Sequence, residues 1–224
     1  LNTLRTSSSH SNHHVNFITI LLDDAGFDFS SFGNKAIHTP HIDALAARST
    51  VAQKCYSGHP VCTPSRASFL TGRYPARTGL GVFPSGLFLF PHQTWLATVL
   101  RWVGYAEGLL TDEISIADML SSAGWRTGYV GKWHLGSRSP HLPNDFGFQS
   151  FFGTLYSNDM APFDIWASRT IHTPCDSVDQ KQLTPLFGEA AGRFIEDSVA
   201  AETSFFLQVA TNAPHDPHDD LVYV

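Results

Sequence analysis

The chain has 224 residues, which is long enough to bury one sizeable hydrophobic core. Hydrophobic residues make up 42% and charged residues 15% of the sequence, a balance typical of globular proteins that excludes a collagen-like or wholly disordered chain. The net charge of −6 offers no basic surface, so we expect no nucleic-acid partner.

The first residues are rich in Ser, Asn and His, and this composition predicts a disordered polar leader over residues 1–14. His10, His13 and His14 leave weak metal binding as the alternative for this segment. No charged-then-apolar signal pattern opens the sequence, so its start indicates no compartment.

The first predicted element is a strand. Val15 to Leu22 is a continuous apolar run, which is typical of a buried strand. Thr39-Pro40 then predicts a helix through about Arg48, with Thr as N-cap and Pro at the first position. Thr63-Pro64 repeats this signature, and Gly72 is expected to end the short helix that follows.

One apolar segment does not fit a globular pattern. Leu87 to Ala106 is apolar over about the length of a membrane span, but it contains Pro91 and Arg101, so we expect no stable span. A peripheral helix over residues 94–103 is one interpretation, and sequence that does not belong to the fold is the other.

The second half alternates helices with apolar strands. Thr111 is expected to start a helix that ends at Gly124, and Thr127 to Val130 is expected to form a short strand. Thr184-Pro185 begins a longer helix, and Phe205 to Ala210 is a second continuous apolar run. This alternation predicts an α/β fold with a largely parallel sheet. Apolar stripes are expected on the first helix at Ile114, Ala117, Leu120 and Ala123, and on the second at Phe187, Ala191, Phe194 and Ile195.

Polar groups follow three of these strands. Asp23-Asp24 comes after the first, Lys132 and His134 after the second, and His215 after the last. Because ligands bind at the carboxyl ends of parallel strands, we expect these groups to converge. Taken alone, Asp23-Asp24 fits a solvated turn or a site for Ca²⁺ or Mg²⁺, and Lys132 fits a surface residue.

Cys62 lies where a helix is expected to start, because Pro64 follows it. Backbone N–H groups at such a position favour an anion, and Arg66 returns to the same face one turn later. A buried cysteine ahead of a short helix is the alternative. Cys55 and Cys175 are either paired or two buried thiols, and the sequence does not decide between these states.

Residues 62–73 have the sequence CTPSRASFLTGR, and residues 124–136 have the sequence GWRTGYVGKWHLG. The first string resembles the first signature of the type I sulfatases, and the second string resembles their second signature. Tyr156 to Met160 is closest to the arylsulfatase A-like branch. The likeness covers residues 15–86 and 107–220.

The resemblance implies an alkaline-phosphatase-like fold and a sulfatase of aryl or carbohydrate sulfate esters. It implies that Cys62 is oxidised by a formylglycine-generating enzyme, and that the hydrated aldehyde attacks the sulfur of the ester. Asp23, Asp24 and the converted Cys62 would hold Ca²⁺. Arg66 would support the hydrated aldehyde, and Lys132 and His134 would contact the sulfate. Lys132 or His215 would protonate the leaving oxygen. Ser157 would be a further substrate contact.

The sequence also departs from this family. Residues 87–106 look like an insertion in a catalytic domain at 15–224, and the family pattern continues beyond Val224 to further metal and sulfate ligands. We therefore expect a sheet that is incomplete at its C-terminus. A truncated, non-catalytic sulfatase-like remnant is the alternative function, and a phosphodiesterase of the wider superfamily is a third. Family resemblance favours a lysosomal or secreted location.

Overall fold

A computed structural model describes residues 15–80, 108–160 and 163–215 of the chain. These residues form six strands, four α-helices and several short 3-10 turns. The strands are β1 (Phe17–Leu21), β2 (Arg126–Lys132), β3 (Ser150–Thr154), β4 (Ile165–Ala167), β5 (Thr170–Thr173) and β6 (Phe205–Ala210). The helices are α1 (Pro40–Ala46), α2 (Cys62–Thr71), α3 (Ile116–Ser122) and α4 (Leu183–Ala200).

All six strands belong to one sheet, in the order β1-β6-β2-β3-β4-β5. The first four strands in this order are parallel to one another: β1, β6, β2 and β3. β4 and β5 then add an antiparallel hairpin beside β3. The sheet is therefore largely parallel, as expected from the alternation of helices and apolar strands, and the hairpin is the part that the sequence analysis missed.

Helices cover both faces of this sheet. Residues alternate along β6, so that Phe206 packs into the core shared with α2 and α3, while Phe205 and Leu207 pack against α4. The predicted stripe on α4 is confirmed: Phe187, Ala191 and Phe194 are buried. Because each face has its own cluster, the parallel strands are buried on both sides, apart from the edge strand β1.

The prediction that the first strand is buried was wrong. β1 is an edge strand, and Ile20 is 66% exposed. An apolar run was interpreted as burial on both faces, but within the described ranges β1 pairs with β6 alone. Edge position, which the strand's own sequence does not encode, accounts for the difference.

Three helix starts also differ from expectation, and the smallest difference is in α4, which begins at Leu183 with Pro185 as its third residue. α2 begins at Cys62, so Pro64 is its third residue rather than its first. α3 begins at Ile116, where Ser115 accepts a hydrogen bond from the Asp118 N–H and Asp118 accepts one in return. This capping box outcompetes the Thr111 signal and leaves Ile114 exposed outside the helix. Gly72 adopts a left-handed conformation at φ 65° and ends α2 as predicted.

The leader, residues 1–14, and the segment Leu87 to Ala106 lie outside the described residues. In the described ranges we find no helix with the length and apolarity needed to cross a bilayer. Cys55 and Cys175 are separate thiols, the first exposed and the second half-buried. The Cys175 sulfur accepts a hydrogen bond from the Phe163 N–H at 3.1 Å.

Candidate active site

The carboxyl ends of β1, β2 and β6 bring the predicted polar residues to one edge of the sheet. Asp23 lies two residues after β1 and is buried, and its N–H donates to the Ala213 carbonyl beyond β6 at 3.4 Å. Asp24 has a left-handed backbone at φ 57°, and its side chain is 60% exposed. The predicted convergence is therefore confirmed. Of the two carboxylates, Asp23 faces the interior and Asp24 faces solvent.

Asp23 is paired with two cations. Its Oδ2 accepts a hydrogen bond from the Lys132 ammonium, and its Oδ1 lies 3.4 Å from a guanidinium nitrogen of Arg66. Burial raises the pKa of Asp23, but the charges of Arg66 and Lys132, with a smaller contribution from His215, outweigh it and hold the pKa below its ordinary range. Asp23 is therefore an anion that neutralises part of a cationic centre.

Lys132 is the last residue of β2 and has no solvent exposure. Besides its bond to Asp23, the ammonium donates to Ser157 Oγ at 2.9 Å. The surface-residue interpretation of Lys132 is excluded, because a lysine this deeply buried needs the partners it has here. Ser157, which was predicted only as a substrate contact, is thus part of the same hydrogen-bonded group.

Cys62 is the first residue of α2, and its sulfur lies 3.1 Å from Nδ1 of His134. Arg66 is one turn further along the same helix and fully internal. Its guanidinium donates to the Lys132 carbonyl at 2.5 Å and to the Tyr129 hydroxyl at 3.4 Å. Burial lowers the pKa of Arg66, but Tyr129, Asp23 and Cys62 raise it to a net value above the ordinary one, so Arg66 stays a cation.

His134 is buried and adopts a left-handed backbone at φ 59°. Loss of solvent lowers the pKa of His134 well below its ordinary value of 6.5, and the positive charges of Lys132, Arg66 and His215 lower it further. The ring is therefore neutral at pH 7. Its Nε2 is buried without a hydrogen-bond partner among the described residues. A neutral ring fits its position beside two permanent cations.

Acid should destabilise the protein through His134. In the unfolded chain this imidazole takes up a proton below about pH 6.5, whereas in the folded state it stays neutral. Below that pH the unfolded state binds more protons than the folded state. The free energy of unfolding should therefore decrease as the pH decreases, by up to about 1.4 kcal/mol per pH unit. Urea titrations at several pH values below about 6.5 should show a smaller slope for His134→Gln. The exposed control His41→Gln should keep the slope, and equal slopes for both variants would contradict the expectation.

His215 lies at the solvent side of this group. Its Nε2 is 3.7 Å from Asp24 Oδ2, its N–H donates to the Asn212 carbonyl, and its own carbonyl accepts from the Asn158 amide at 3.4 Å. The structure therefore joins His215 to Asp24, as the strand ends predicted. Asn212 is buried, and neither side-chain atom has a hydrogen-bond partner among the described residues.

The site opens through a cavity of about 530 Å³, which we call the Cys62 cavity. Its polar lining combines predicted residues with three to which the sequence analysis gave no role, Ser57, His59 and Ser65. Tyr129 was also missed, although alternation along β2 places it opposite Val130 and therefore on the α2 face. The cavity is lined by Leu21, Leu22, Asp23, Asp24, Ala25, Gly26, Ser57, His59, Pro60, Val61, Cys62 and Ser65.

Asp23 and Asp24 offer the carboxylate oxygens that Ca²⁺ prefers, and both lie with Cys62 around this cavity. Over the described ranges, no group of three or more His, Cys, Asp or Glu is arranged to hold a metal ion. The oxygens of Asp23 are directed at Arg66 and Lys132. The donor chemistry fits a hard cation, and the ligand set Asp23, Asp24 and Cys62 stays a prediction.

The comparisons with known proteins agree on one protein family. A model of the family described as Sulfatase matches residues 15–223. Steryl-sulfatase of Homo sapiens is 38% identical over 161 residues, which cover 68% of this chain and 25% of that protein. Arylsulfatase A of Bos taurus is 33% identical over 217 residues, which cover 93% of this chain and 40% of that protein. The chain thus spans between a quarter and two fifths of these relatives.

A solved structure agrees with these relatives. The crystal structure of Ps i-CgsB superimposes with a TM-score of 0.70 at 30% identity, over 90% of this chain and 46% of that one. A second structure of the same protein is a complex with k-i-k-neocarrahexaose. The sheet and helices described above therefore correspond to part of a larger fold in that protein.

Proposed function

The chain belongs to the sulfatase family, and from this premise we propose that its Cys62 site hydrolyses sulfate esters of aryl or carbohydrate type. The observation that carries the proposal is the position of Cys62. It begins α2, lies 3.1 Å from a neutral histidine ring and is followed one turn later by a buried arginine.

The proposed nucleophile is formylglycine made from Cys62 by a formylglycine-generating enzyme. Formylglycine would supply a hydrated aldehyde as nucleophile, and Ca²⁺ held by Asp23 and Asp24 would neutralise sulfate oxygens. His134 Nδ1 faces the reacting side chain at residue 62 and can exchange a proton with it. Arg66 keeps a permanent positive charge behind that residue.

The same chain supplies charge for the sulfate group. Lys132 and the N-terminal N–H groups of α2 are the cationic and dipolar groups at this edge, and they favour sulfate oxygens. In the overall reaction, water cleaves the S–O ester bond to give sulfate and an alcohol, and the alcohol oxygen takes a proton. Lys132 and His215 are the two candidates for donating that proton.

A lysosomal or secreted location remains an expectation from the family resemblance.

Mass spectrometry of residue 62 tests the proposal. When the full-length protein is produced together with a formylglycine-generating enzyme, the peptide that contains Cys62 should be lighter than its cysteine form and should react with a hydrazide. The peptide that contains Cys175 serves as the internal control and should keep its thiol. An intact thiol at Cys62 in every molecule would contradict the proposal and favour a non-catalytic sulfatase-like protein.

A further inference from the structure

The loop before α2, Ser57 to Val61, forms one wall of the Cys62 cavity. His59 is half-buried and Ser57 is exposed, so this wall lies toward the mouth of the cavity. Neither residue has a role in the chemistry proposed above. Because both line the same cavity as Cys62, they are accessible to a substrate bound there.

The orientation of the His59 ring is fixed by its own loop. The Val61 N–H donates to Nδ1 at 3.0 Å, so Nδ1 presents a lone pair and the ring proton is on Nε2. Nε2 has no hydrogen-bond partner among the described residues. The ring therefore offers a donor that this part of the chain does not use.

The loop is held against α2. Ser57 Oγ donates to the His59 carbonyl at 3.0 Å, which leaves its lone pairs free to accept. Gly58 packs so closely that a Cβ there would lie 2.3 Å from Ser68 Oγ. Ser57 and His59 thus present a hydrogen-bond acceptor and a donor side by side on a wall of fixed conformation.

We infer that His59, assisted by Ser57, selects substrates whose alcohol part carries neighbouring hydroxyl groups, as a sulfated sugar does. The inference rests on the proposed function. A hydroxyl can accept from His59 Nε2–H and a neighbouring hydroxyl can donate to Ser57 Oγ. An aryl or sterol alcohol would leave the Nε2–H donor unpaired as it displaced water, and such a mismatch disfavours the wrong substrate.

The test uses two substitutions that separate the two nitrogens of the ring. His59→Asn keeps an acceptor near the Nδ1 position for Val61 but loses the outer donor, whereas His59→Gln places an amide near the Nε2 position. In the full-length enzyme, the ratio of kcat/KM for galactose 6-sulfate to that for p-nitrophenyl sulfate should fall about 3- to 10-fold in His59→Asn. His59→Gln should recover part of the ratio, and the exposed control His41→Asn should not change it.

A binding measurement separates this inference from the proposed function. In a Cys62→Ala background, the Kd for galactose 6-sulfate should rise about 3- to 10-fold on His59→Asn, more than the Kd for p-nitrophenyl sulfate. If the enzyme does not turn over but this selective weakening is seen, the proposed function fails and the inference stands. An unchanged ratio and unchanged Kd in His59→Asn, or no binding of galactose 6-sulfate at all, would overturn the inference.

Discussion

Replacing Cys62 with alanine should lower kcat for p-nitrophenyl sulfate by about 10⁴-fold or more, because the variant lacks the nucleophile proposed above and with it the proposed reaction path. Stability should change little. Cys62 is half-buried in the first turn of α2, and its sulfur contacts the His134 ring. The measurement is steady-state turnover by the full-length protein, produced with a formylglycine-generating enzyme, alongside urea unfolding of the same preparations.

Cys55→Ala is the matched control for this change. It removes a thiol that is exposed and lies outside the Cys62 cavity lining, so its turnover should equal that of the wild type within about twofold. Turnover by Cys62→Ala above about a hundredth of the wild-type rate would show that another group is the nucleophile.

Much of the fold could be predicted from the sequence because local signals and tertiary structure agree there. The strand β6 and the apolar stripe of α4 are encoded by residues that are buried where they stand. The prediction failed where the answer depends on neighbours. Nothing in the sequence of β1 indicates that this strand lies at a sheet edge. The strands β4 and β5 are too short to show a periodic pattern of apolar residues.

The candidate site follows a similar division. Strand ends mark Asp23, Lys132 and His215, because parallel strands bring their carboxyl ends together. The hydrogen-bond and ion-pair partners of these side chains could not be predicted from the sequence. That Lys132 bonds to Ser157, 25 residues further on, depends on the packing of the loop after β3. His59 was overlooked because its orientation comes from one local hydrogen bond with no sequence signature.

Replacing Lys132 with methionine should be costly for both stability and rate. Methionine keeps most of the side-chain volume but removes one of the two ion pairs of the buried Asp23 carboxylate and leaves the pair with Arg66. Breaking a buried ion pair typically costs about 3–5 kcal/mol, and the Arg66 contact should keep the loss near the lower end of that range. Under the proposed function Lys132 also contacts the sulfate, so its loss should lower kcat a further 10²- to 10³-fold, which is about the loss seen when a single oxyanion donor is removed.

A second substitution separates the two effects. Asp23→Asn combined with Lys132→Met removes both charges of the pair, so the double variant should be less destabilised than the sum of the single variants predicts. Its turnover should not recover, because the double variant lacks both the proposed sulfate contact of Lys132 and the proposed metal ligand Asp23. Lys181→Met is the exposed control and should change the free energy of unfolding by less than about 0.5 kcal/mol. Urea unfolding of the wild type, the two single variants and the double variant measures this coupling. Additive losses would mean that Asp23 and Lys132 do not stabilise each other as an ion pair.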